Sequence, residues 1–230
     1  MEKITAIVLA AGSGRRMNSP VHKQYMELAG KPLICYALEA FEKSGVTEII
    51  LVAGRGEAGY CKRQIVERYG FRRVSSVVEG GAERFHSVYE GLKAAAGSDY
   101  VLIHDGVRPF VTPELIERCI SSVRQYQACV AGMPVKDTIK VVGEDGYAKT
   151  TPNRSTLWQM QTPQAFAWPL ILRAYEKVLA EDTAGITDDA MILERAEGRQ
   201  VKIIEGSYQN IKITTPEDLV IAEAYLGASK

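Results

Sequence analysis

The sequence lacks the features that mark several large classes of protein. None of its four cysteines stands in a CxxC pair and none of its three histidines has metal-ligand spacing, so we expect no zinc site and buried or inert thiols in a reducing compartment. No apolar run approaches about 18 residues, and the N-terminus has no signal-peptide organisation. We predict no membrane association and a cytoplasmic location, or the plastid stroma if a transit peptide is missing from this chain.

The chain also lacks a net charge. Lys and Arg together number 28, as do Asp and Glu, which leaves no basic surface of the kind that binds nucleic acid. No Gly-Lys-Ser or Gly-Lys-Thr occurs, so a Walker phosphate loop is excluded. Any anion site must therefore be local, in a chain of 230 residues that suits one large domain, residues 1–230.

The stretch from Ala6 to Lys23 has the composition of a polyphosphate site. Its first five residues, 6–10, form a continuous apolar run typical of a strand buried on both faces. Residues 11–14 are small, so backbone N–H groups there can approach an anion closely. Arg15, Arg16 and Lys23 add the positive charge that a polyphosphate requires. We interpret the stretch as a nucleoside triphosphate loop.

A dinucleotide-binding loop is the main alternative among glycine-rich loops. That fingerprint needs a third glycine and an acid about 20 residues further on. Met17 takes the place of the third glycine, and the second predicted strand ends in Gly54-Arg55. A dehydrogenase is therefore disfavoured, while a plain glycine turn with solvated arginines stays open.

Strand and helix patterns alternate along the chain. Predicted strands lie at 48–53, 74–78, 100–104, 128–134, 201–205 and 210–214, and predicted helices at 33–41, 58–69, 113–126, 169–179 and 216–226. Alternation of this kind predicts an α/β fold, Rossmann-like, with a mostly parallel twisted sheet and helices on both faces. Residues 136–156 depart from it and predict a protruding β-hairpin arm around Asp145-Gly146, with too little apolar surface to stand alone.

Two further strand ends carry candidate ligand groups. Gly80 and Gly81 permit close backbone approach, and Ser87 follows Arg84 by about one helical turn. A tight turn with a helix-surface arginine is an equal alternative there. Asp105 follows the central strand and is a candidate contact for Mg²⁺ or ribose, with a structural ion pair to Arg108 as the alternative.

The motifs together resemble a known family. LAAGSGRRM followed by Lys23 is similar to the signature of nucleotidyltransferases that make nucleotide-activated sugars and polyols. With GG-x-x-R-x-x-S-V, HDGVRP, PVKDT, TDDA and NIKITTPEDL, the chain resembles the 2-C-methyl-D-erythritol 4-phosphate cytidylyltransferase family over nearly its whole length. The resemblance implies transfer of a cytidylyl group from CTP to 2-C-methyl-D-erythritol 4-phosphate in non-mevalonate isoprenoid synthesis, with release of pyrophosphate.

The resemblance also implies roles for individual residues. The catalytic residues would be Arg16, Lys23 and Lys212, and the nucleotide would contact Ala10, Ala11, Gly12, Gly14, Gly81, Ala82, Ser87, Asp105 and Gly106. The acceptor polyol phosphate would contact Asp105, Arg108, Thr138, Arg154, Thr187 and Lys212, and Asp105 would hold Mg²⁺ or another divalent cation.

The arm would clasp a second subunit in a homodimer, with Arg154 acting in the neighbour's acceptor site. Several alternatives stay open at this point. Thr187 and Asp188 are equally well explained as a helix cap. The acceptor in the rival reaction is ribitol 5-phosphate, and the rival class of protein is a catalytically silent nucleotide-binding subunit.

Overall fold

The structure, a computed structural model, describes residues 1–12, 22–181 and 183–228, without the side chain of residue 228. The predicted ligands Gly14 and Arg16 lie outside the described residues. The strands are β1 Ile4–Ala10, β2 Glu27–Leu28, β3 Lys31–Pro32, β4 Glu48–Ala53, β5 Val74–Glu79, β6 Tyr100–Asp105, β7 Ala128–Pro134, β8 Val141–Val142, β9 Ala148–Thr150, β10 Trp158–Ala167 and β11 Lys202–Glu205. The helices are α1 Leu33–Glu42, α2 Ala58–Tyr60, α3 Arg84–Ala94, α4 Pro113–Tyr126, α5 Trp168–Ala180, α6 Asp189–Glu197 and α7 Pro216–Ala228, and α2 continues as a π-helix over Cys61–Glu67.

Within these residues a seven-stranded sheet runs in the order β11-β7-β10-β6-β1-β4-β5. All neighbouring strands are parallel except β10, which is antiparallel to both β6 and β7. The predicted mostly parallel α/β sheet is therefore confirmed. None of the helices in the described part of the chain is long and apolar enough to cross a membrane.

Two hydrophobic cores lie on opposite faces of the sheet. Ala6 and Val8 of β1 pack in the core that α1 and α4 cover, whereas Ile7 and Leu9 pack in the core that α3, α5 and α6 cover. Successive side chains of a strand point to opposite faces, so the unbroken apolar run of β1 supplies both cores. The four cysteines are buried and free of disulfides, as predicted.

The predicted strand at Asn210–Thr214 is wrong. The segment pairs with none of the described strands. Instead, Ile213 N donates to Val107 O, in the loop after β6, at 2.9 Å, and Thr214 N donates to the side chain of Asp218, in the first turn of α7, at 2.7 Å. The alternation of Ile211, Lys212 and Ile213 that suggested a strand reflects which side of the segment is buried, since Ile213 is fully buried while Lys212 lines a cleft.

The β-hairpin arm has the predicted arrangement around Asp145-Gly146. Strands β8 and β9 pair antiparallel, and Gly146 adopts φ 79°, which glycine favours. Val142 is 57 % exposed and Tyr147 is 77 % exposed, so the arm leaves large apolar side chains open to solvent.

Gly91 lets α3 lie directly against the sheet. A Cβ added there would come within 2.4 Å of Ile7 Cγ2 and 3.1 Å of Val52 Cγ2, so Gly91→Ala forces the helix away from β1 and β4. We expect a loss of about 1–3 kcal/mol in the free energy of unfolding, the usual cost of overpacking a core. Denaturant unfolding measures this loss. Gly12→Ala is a suitable control, because its added Cβ meets no described atom within 4 Å, whereas Gly97→Ala is unsuitable because Gly97 has a positive φ.

Candidate active site

A cleft of about 610 Å³ lies at the carboxyl end of the parallel strands. Its position is that expected for ligands in an open α/β sheet. Eight of the predicted site residues are among the described residues that line it: Ala11, Gly12, Lys23, Gly81, Ala82, Ser87, Asp105 and Lys212. The sequence prediction thus identified most of this surface from strand ends that are far apart in the chain.

The end of β1 is fastened to the segment that carries Lys23. Gln24 Nε2 donates to the carbonyl of Ala10 at 2.5 Å, and both residues are buried. This bond occupies the Ala10 carbonyl, and Ala10 does not line the cleft, whereas Ala11 and Gly12, which follow β1, do. Gln24 lines it too and was not predicted; its place directly beside Lys23 in the sequence was the available signal.

The loop between β5 and α3 closes through Ser87. Gly81 N donates to Ser87 Oγ at 3.2 Å, and Ser87 Oγ donates to Glu83 O at 3.1 Å. A Cβ on Gly80 would lie 2.5 Å from Ser87 Oγ and 2.7 Å from Ala11 Cβ, so the loop approaches the end of β1 as closely as only glycine allows. These contacts place Gly81, Ala82 and Ser87 on the wall of the cleft, beside the residues that follow β1.

Asp105, at the end of β6, has cations on both of its carboxylate oxygens. Its Oδ1 accepts from Arg84 Nε at 3.0 Å, and its Oδ2 accepts from Lys212 Nζ at 2.8 Å. Arg108 Nε lies 3.9 Å from Oδ2. Arg108 is thus the most distant of the three cations, so the alternative prediction, a structural pair of Asp105 and Arg108, describes the weakest of these contacts.

The cations control the ionisation of Asp105. Burial by itself raises the pKa of this carboxyl, but Arg84, Lys212 and Arg108 outweigh burial and hold the pKa well below its usual range. Burial lowers the pKa of Arg108, an effect that Asp105 partly offsets. These three cations contact two carboxylates, Asp105 and Asp189, so the cluster keeps an excess of one positive charge, which favours an anionic ligand.

Arg84 links Asp105 to a second, fully buried carboxylate. Its Nη1 and Nη2 donate to the two oxygens of Asp189, each at 2.8 Å, and Tyr175 OH donates to Asp189 Oδ1 at 2.6 Å. Burial lowers the pKa of Arg84, but Asp189 and Asp105 raise it above its ordinary value, so the guanidinium stays charged. The alternative of a helix-surface arginine is therefore wrong, and Asp189 is a residue that sequence reasoning missed.

The start of α6 explains why Asp189 was missed. Asp188 Oδ1 accepts from Met191 N at 2.9 Å, which confirms the predicted helix cap, and Gln164 Oε1 accepts from Asp189 N at 3.0 Å. A cap makes the following acid look like a solvent-exposed first-turn residue. Its complete burial depends on β10 and α5, which no local pattern reveals.

The remaining predicted residues lie at or beyond the rim. Gly106 is buried beside the cleft, where a Cβ would lie 2.7 Å from Leu9 O, and Arg108 Nη1 donates to Asn210 O at 2.8 Å. Thr138, Arg154 and Thr187 are exposed and line no part of this cleft within the described residues. Arg154 instead donates to Lys136 O at 2.8 Å at the base of the arm.

His104 precedes Asp105 but faces away from the chemistry. It is fully buried, its Nδ1 lies 3.1 Å from Thr162 Oγ1, and burial lowers its pKa to about 4. A neutral imidazole with a packing partner in Phe41 is a structural residue.

The donor set fits Mg²⁺ only together with a phosphate ligand. In the described chain no three His, Cys, Asp or Glu side chains converge as a metal site would require. Mg²⁺ takes one or two carboxylates and fills its other positions with water and phosphate oxygens, so Asp105 can serve as a lone protein ligand. Because Oδ2 already accepts from Lys212 Nζ at 2.8 Å, Mg²⁺ would have to share this oxygen with the ammonium or displace it.

Comparison with known proteins agrees with this geometry. A family model described as 2-C-methyl-D-erythritol 4-phosphate cytidylyltransferase matches residues 4–228. The protein of that name from Lachnoclostridium phytofermentans is 50 % identical over 226 residues, covering 98 % of this chain and 97 % of the relative. Its counterpart from Geobacter metallireducens is 48 % identical over 228 residues, covering 97 % of each. The crystal structure of 4-diphosphocytidyl-2C-methyl-D-erythritol synthase from Anaerococcus prevotii matches with a TM-score of 0.87 at 39 % identity, covering 98 % of this chain and 96 % of that one.

The mostly parallel sheet and the cationic cleft at its carboxyl edge, with these matches, define a nucleotidyltransferase. Within that class, the chain belongs to the 2-C-methyl-D-erythritol 4-phosphate cytidylyltransferase family. The family resemblance that the motifs indicated is confirmed over nearly the whole chain.

Proposed function

We propose that this protein transfers a cytidylyl group from CTP to 2-C-methyl-D-erythritol 4-phosphate, a step of non-mevalonate isoprenoid synthesis. A phosphate oxygen of the acceptor attacks the α-phosphorus of CTP, and the bond from that phosphorus to the bridging oxygen breaks. The products are 4-diphosphocytidyl-2-C-methyl-D-erythritol and pyrophosphate. The proposed substrates rest on family membership, and the proposed transfer of a phosphoryl-linked group rests on the cluster of cations around Asp105.

The chemistry needs positive charge rather than a general base. A phosphate monoester is already an anion near neutral pH, so its oxygen attacks without losing a proton to the protein. Two anions must instead be brought together and the charge that develops on the transferred group stabilised. Lys23 and Lys212 line the cleft and are suited to this, with Lys212 on the α-phosphate and Lys23, together with Arg16, on the leaving pyrophosphate.

Asp105, itself held by Arg84, positions Lys212 for that role. Because Asp105 Oδ2 accepts from Lys212 Nζ at 2.8 Å, the ammonium is held in the cleft before the substrate arrives. Arg84 holds Oδ1, so the other oxygen stays available to Lys212, to the acceptor hydroxyls or to a metal. Bound Mg²⁺ would supply charge neutralisation on the phosphates, with Asp105 as its protein ligand.

We also propose that the protein is a homodimer and that residues 136–156 form the arm that completes the neighbour's acceptor site. The proposal is supported by the exposed apolar side chains of the arm and by the fact that Thr138 and Arg154 are not among the described residues that line the cleft of their own chain. Lys136 Nζ lies 3.6 Å above the Tyr208 ring, which ties the base of the arm to the body. Arg108 and Thr187 would hold the acceptor phosphate from the chain that supplies the cleft.

Pyrophosphate release by the purified protein tests the reaction directly. The protein is supplied with CTP and Mg²⁺ and with 2-C-methyl-D-erythritol 4-phosphate, ribitol 5-phosphate or no acceptor. We expect release with the first acceptor alone. Release with ribitol 5-phosphate alone would overturn the acceptor assignment but keep the nucleotide site, and silence with both despite CTP binding would contradict the proposed activity.

Shortening the arm tests the proposed dimer. Replacing residues 139–150 by a Gly-Gly link removes β8, β9 and their exposed apolar side chains. We expect a monomer by sedimentation and at least a tenfold loss of kcat/KM for the acceptor, with CTP binding kept. As a control, Asp145→Asn changes charge at the exposed turn and should leave both properties unchanged. A shortened variant that remains dimeric would contradict the role of the arm.

A further inference from the structure

The segment that carries Lys212 is held in place by two buried amide side chains. Gln161 Nε2 donates to Ser207 O at 2.7 Å, and Ser207 N donates to Gln161 Oε1 at 3.3 Å. Asn210 Nδ2 donates to Gln161 Oε1 at 3.2 Å and to Thr162 O at 2.9 Å. Asn210 is 0 % exposed and Gln161 is 9 % exposed, so these bonds form out of reach of bulk water. The segment pairs with none of the described strands, and hydrogen bonds from these side chains hold it instead.

Gln161 and Thr162, the residues that bind the amide of Asn210, lie in an irregular stretch of β10. The pairing of β10 with β7 shifts register between Met160 and Gln164, which frees the intervening peptide groups and side chains from the ladder. Thr162 Oγ1 also accepts from Asp105 N at 3.0 Å. One bulge therefore holds the backbone of Asp105 and the segment of Lys212, the two groups that form the 2.8 Å ion pair of the cleft.

Lys212 sits between two fixed points. On one side, Asn210 is bonded through its amide, and its carbonyl accepts from Arg108 Nη1 at 2.8 Å. On the other side, Ile213 N donates to Val107 O at 2.9 Å, and the Ile213 side chain is fully buried. Only Ile211 separates Lys212 from Asn210, so a shift of Asn210 also moves the backbone from which the Lys212 side chain extends.

A buried amide is costly unless its hydrogen bonds are made, and an apolar residue would fill the same space more cheaply. Hydrogen bonds that fix the direction of a catalytic side chain raise the rate of the reaction, because a misplacement of about 1 Å lowers turnover by about a hundredfold. We propose that Gln161 and Asn210 are positioning residues that aim Lys212 at the reacting phosphate. This inference rests on the proposed cytidylyl transfer, and it adds two residues that touch neither substrate.

A double-mutant comparison separates positioning from general stability. Asn210→Ala and Gln161→Met are each made in the wild-type chain and in a Lys212→Ala chain, and pyrophosphate release is measured at saturating acceptor over CTP concentrations from below KM to saturation. We expect kcat to fall at least tenfold in the wild-type background, with KM for CTP changed less than threefold. In the Lys212→Ala background we expect a further loss of less than threefold, because the group being positioned is gone.

Ser98→Ala is the matched control. Ser98 is 4 % exposed, donates to Ala95 O at 2.7 Å and shares a 2.6 Å hydrogen bond with Thr5, so it too loses buried polar contacts, but at the opposite end of the sheet. Its kcat should stay within twofold of the parent in both backgrounds. Equal losses for the Asn210 variant in both backgrounds, or no loss, would overturn the positioning role. If Asn210→Ala does not fold, Gln161→Met decides, since it leaves the bond from Asn210 to Thr162 intact.

Hydrogen exchange gives a readout that does not depend on the reaction. In Asn210→Ala we expect amides of residues 207–213 to exchange at least tenfold faster, with the amides of β1 unchanged. Unchanged exchange in the segment would refute the anchor whatever the protein catalyses. Absence of pyrophosphate release by the wild-type chain, with faster exchange in the variant, would overturn the proposed function and leave the anchor standing.

Discussion

Lys212→Ala is expected to lower kcat at least a hundredfold. The ammonium lies in the cleft, 2.8 Å from Asp105 Oδ2, where it can move from that carboxylate to donate to a phosphate oxygen. Removing a charge aimed at the transition state costs on the order of 3 kcal/mol or more, which corresponds to a factor of about one hundred in rate. Lys23→Ala should have a comparable effect, since Lys23 lines the same cleft.

Steady-state pyrophosphate release measures this loss, with circular dichroism and thermal unfolding to show that each variant is folded. Lys93→Ala is the control, because Lys93 forms an exposed pair with Glu90 on the outer face of α3 and should leave kcat unchanged. Near-normal turnover in a folded Lys212→Ala protein would contradict the assignment of this residue to the α-phosphate.

Arg84→Gln is expected to lower the free energy of unfolding by about 3–5 kcal/mol. The substitution leaves Asp189, which is 0 % exposed, without its two guanidinium contacts at 2.8 Å. An uncompensated buried charge of this kind is among the costliest single changes a protein can suffer. Among the described side chains, Tyr175 would still donate to the Asp189 carboxylate, from its OH to Oδ1 at 2.6 Å.

A charge-balanced variant distinguishes this cause from simple loss of packing. Arg84→Gln combined with Asp189→Asn removes both charges and keeps polar groups that can bond to each other, so most of the lost stability should return. Denaturant unfolding of the two variants gives the comparison. Arg124→Gln serves as control, because the pair of Arg124 with Glu2 is exposed and should matter by less than about 1 kcal/mol. A double variant as unstable as the single one would show that packing, not charge, makes Arg84 important.

Much of the fold follows from local patterns. The apolar run of β1, the helical spacing of α1 and α4 and the Asp-Gly turn of the arm each depend on residues close in sequence, and the structure confirms each of them. The segment at Asn210–Thr214 shows the limit of this reasoning. Its alternation is that of a strand, but it lies beside the loop after β6 and pairs with no strand in the part of the chain that the structure describes.

The candidate site divides in the same way. Small residues and charged groups at strand ends were sufficient to predict the cleft, because the carboxyl ends of parallel strands meet at one edge of a sheet. The partners of those groups were not predictable. Arg84 and Asp189 are 105 positions apart, and Gln161 and Asn210 are 49 apart, so nothing in either neighbourhood points to the other.

By itself, therefore, the sequence determined the class of fold, the edge of the sheet at which the residues lining the cleft meet and the family to which the chain belongs. Only the tertiary structure decided that Arg84 and Lys212 share the carboxylate of Asp105, that Asp189 is buried behind them and that two amides hold the segment of Lys212. The physical reason is that periodicity reports how each residue is buried relative to its neighbours. Which charges meet inside the protein depends on how helices and loops from distant parts of the chain pack together.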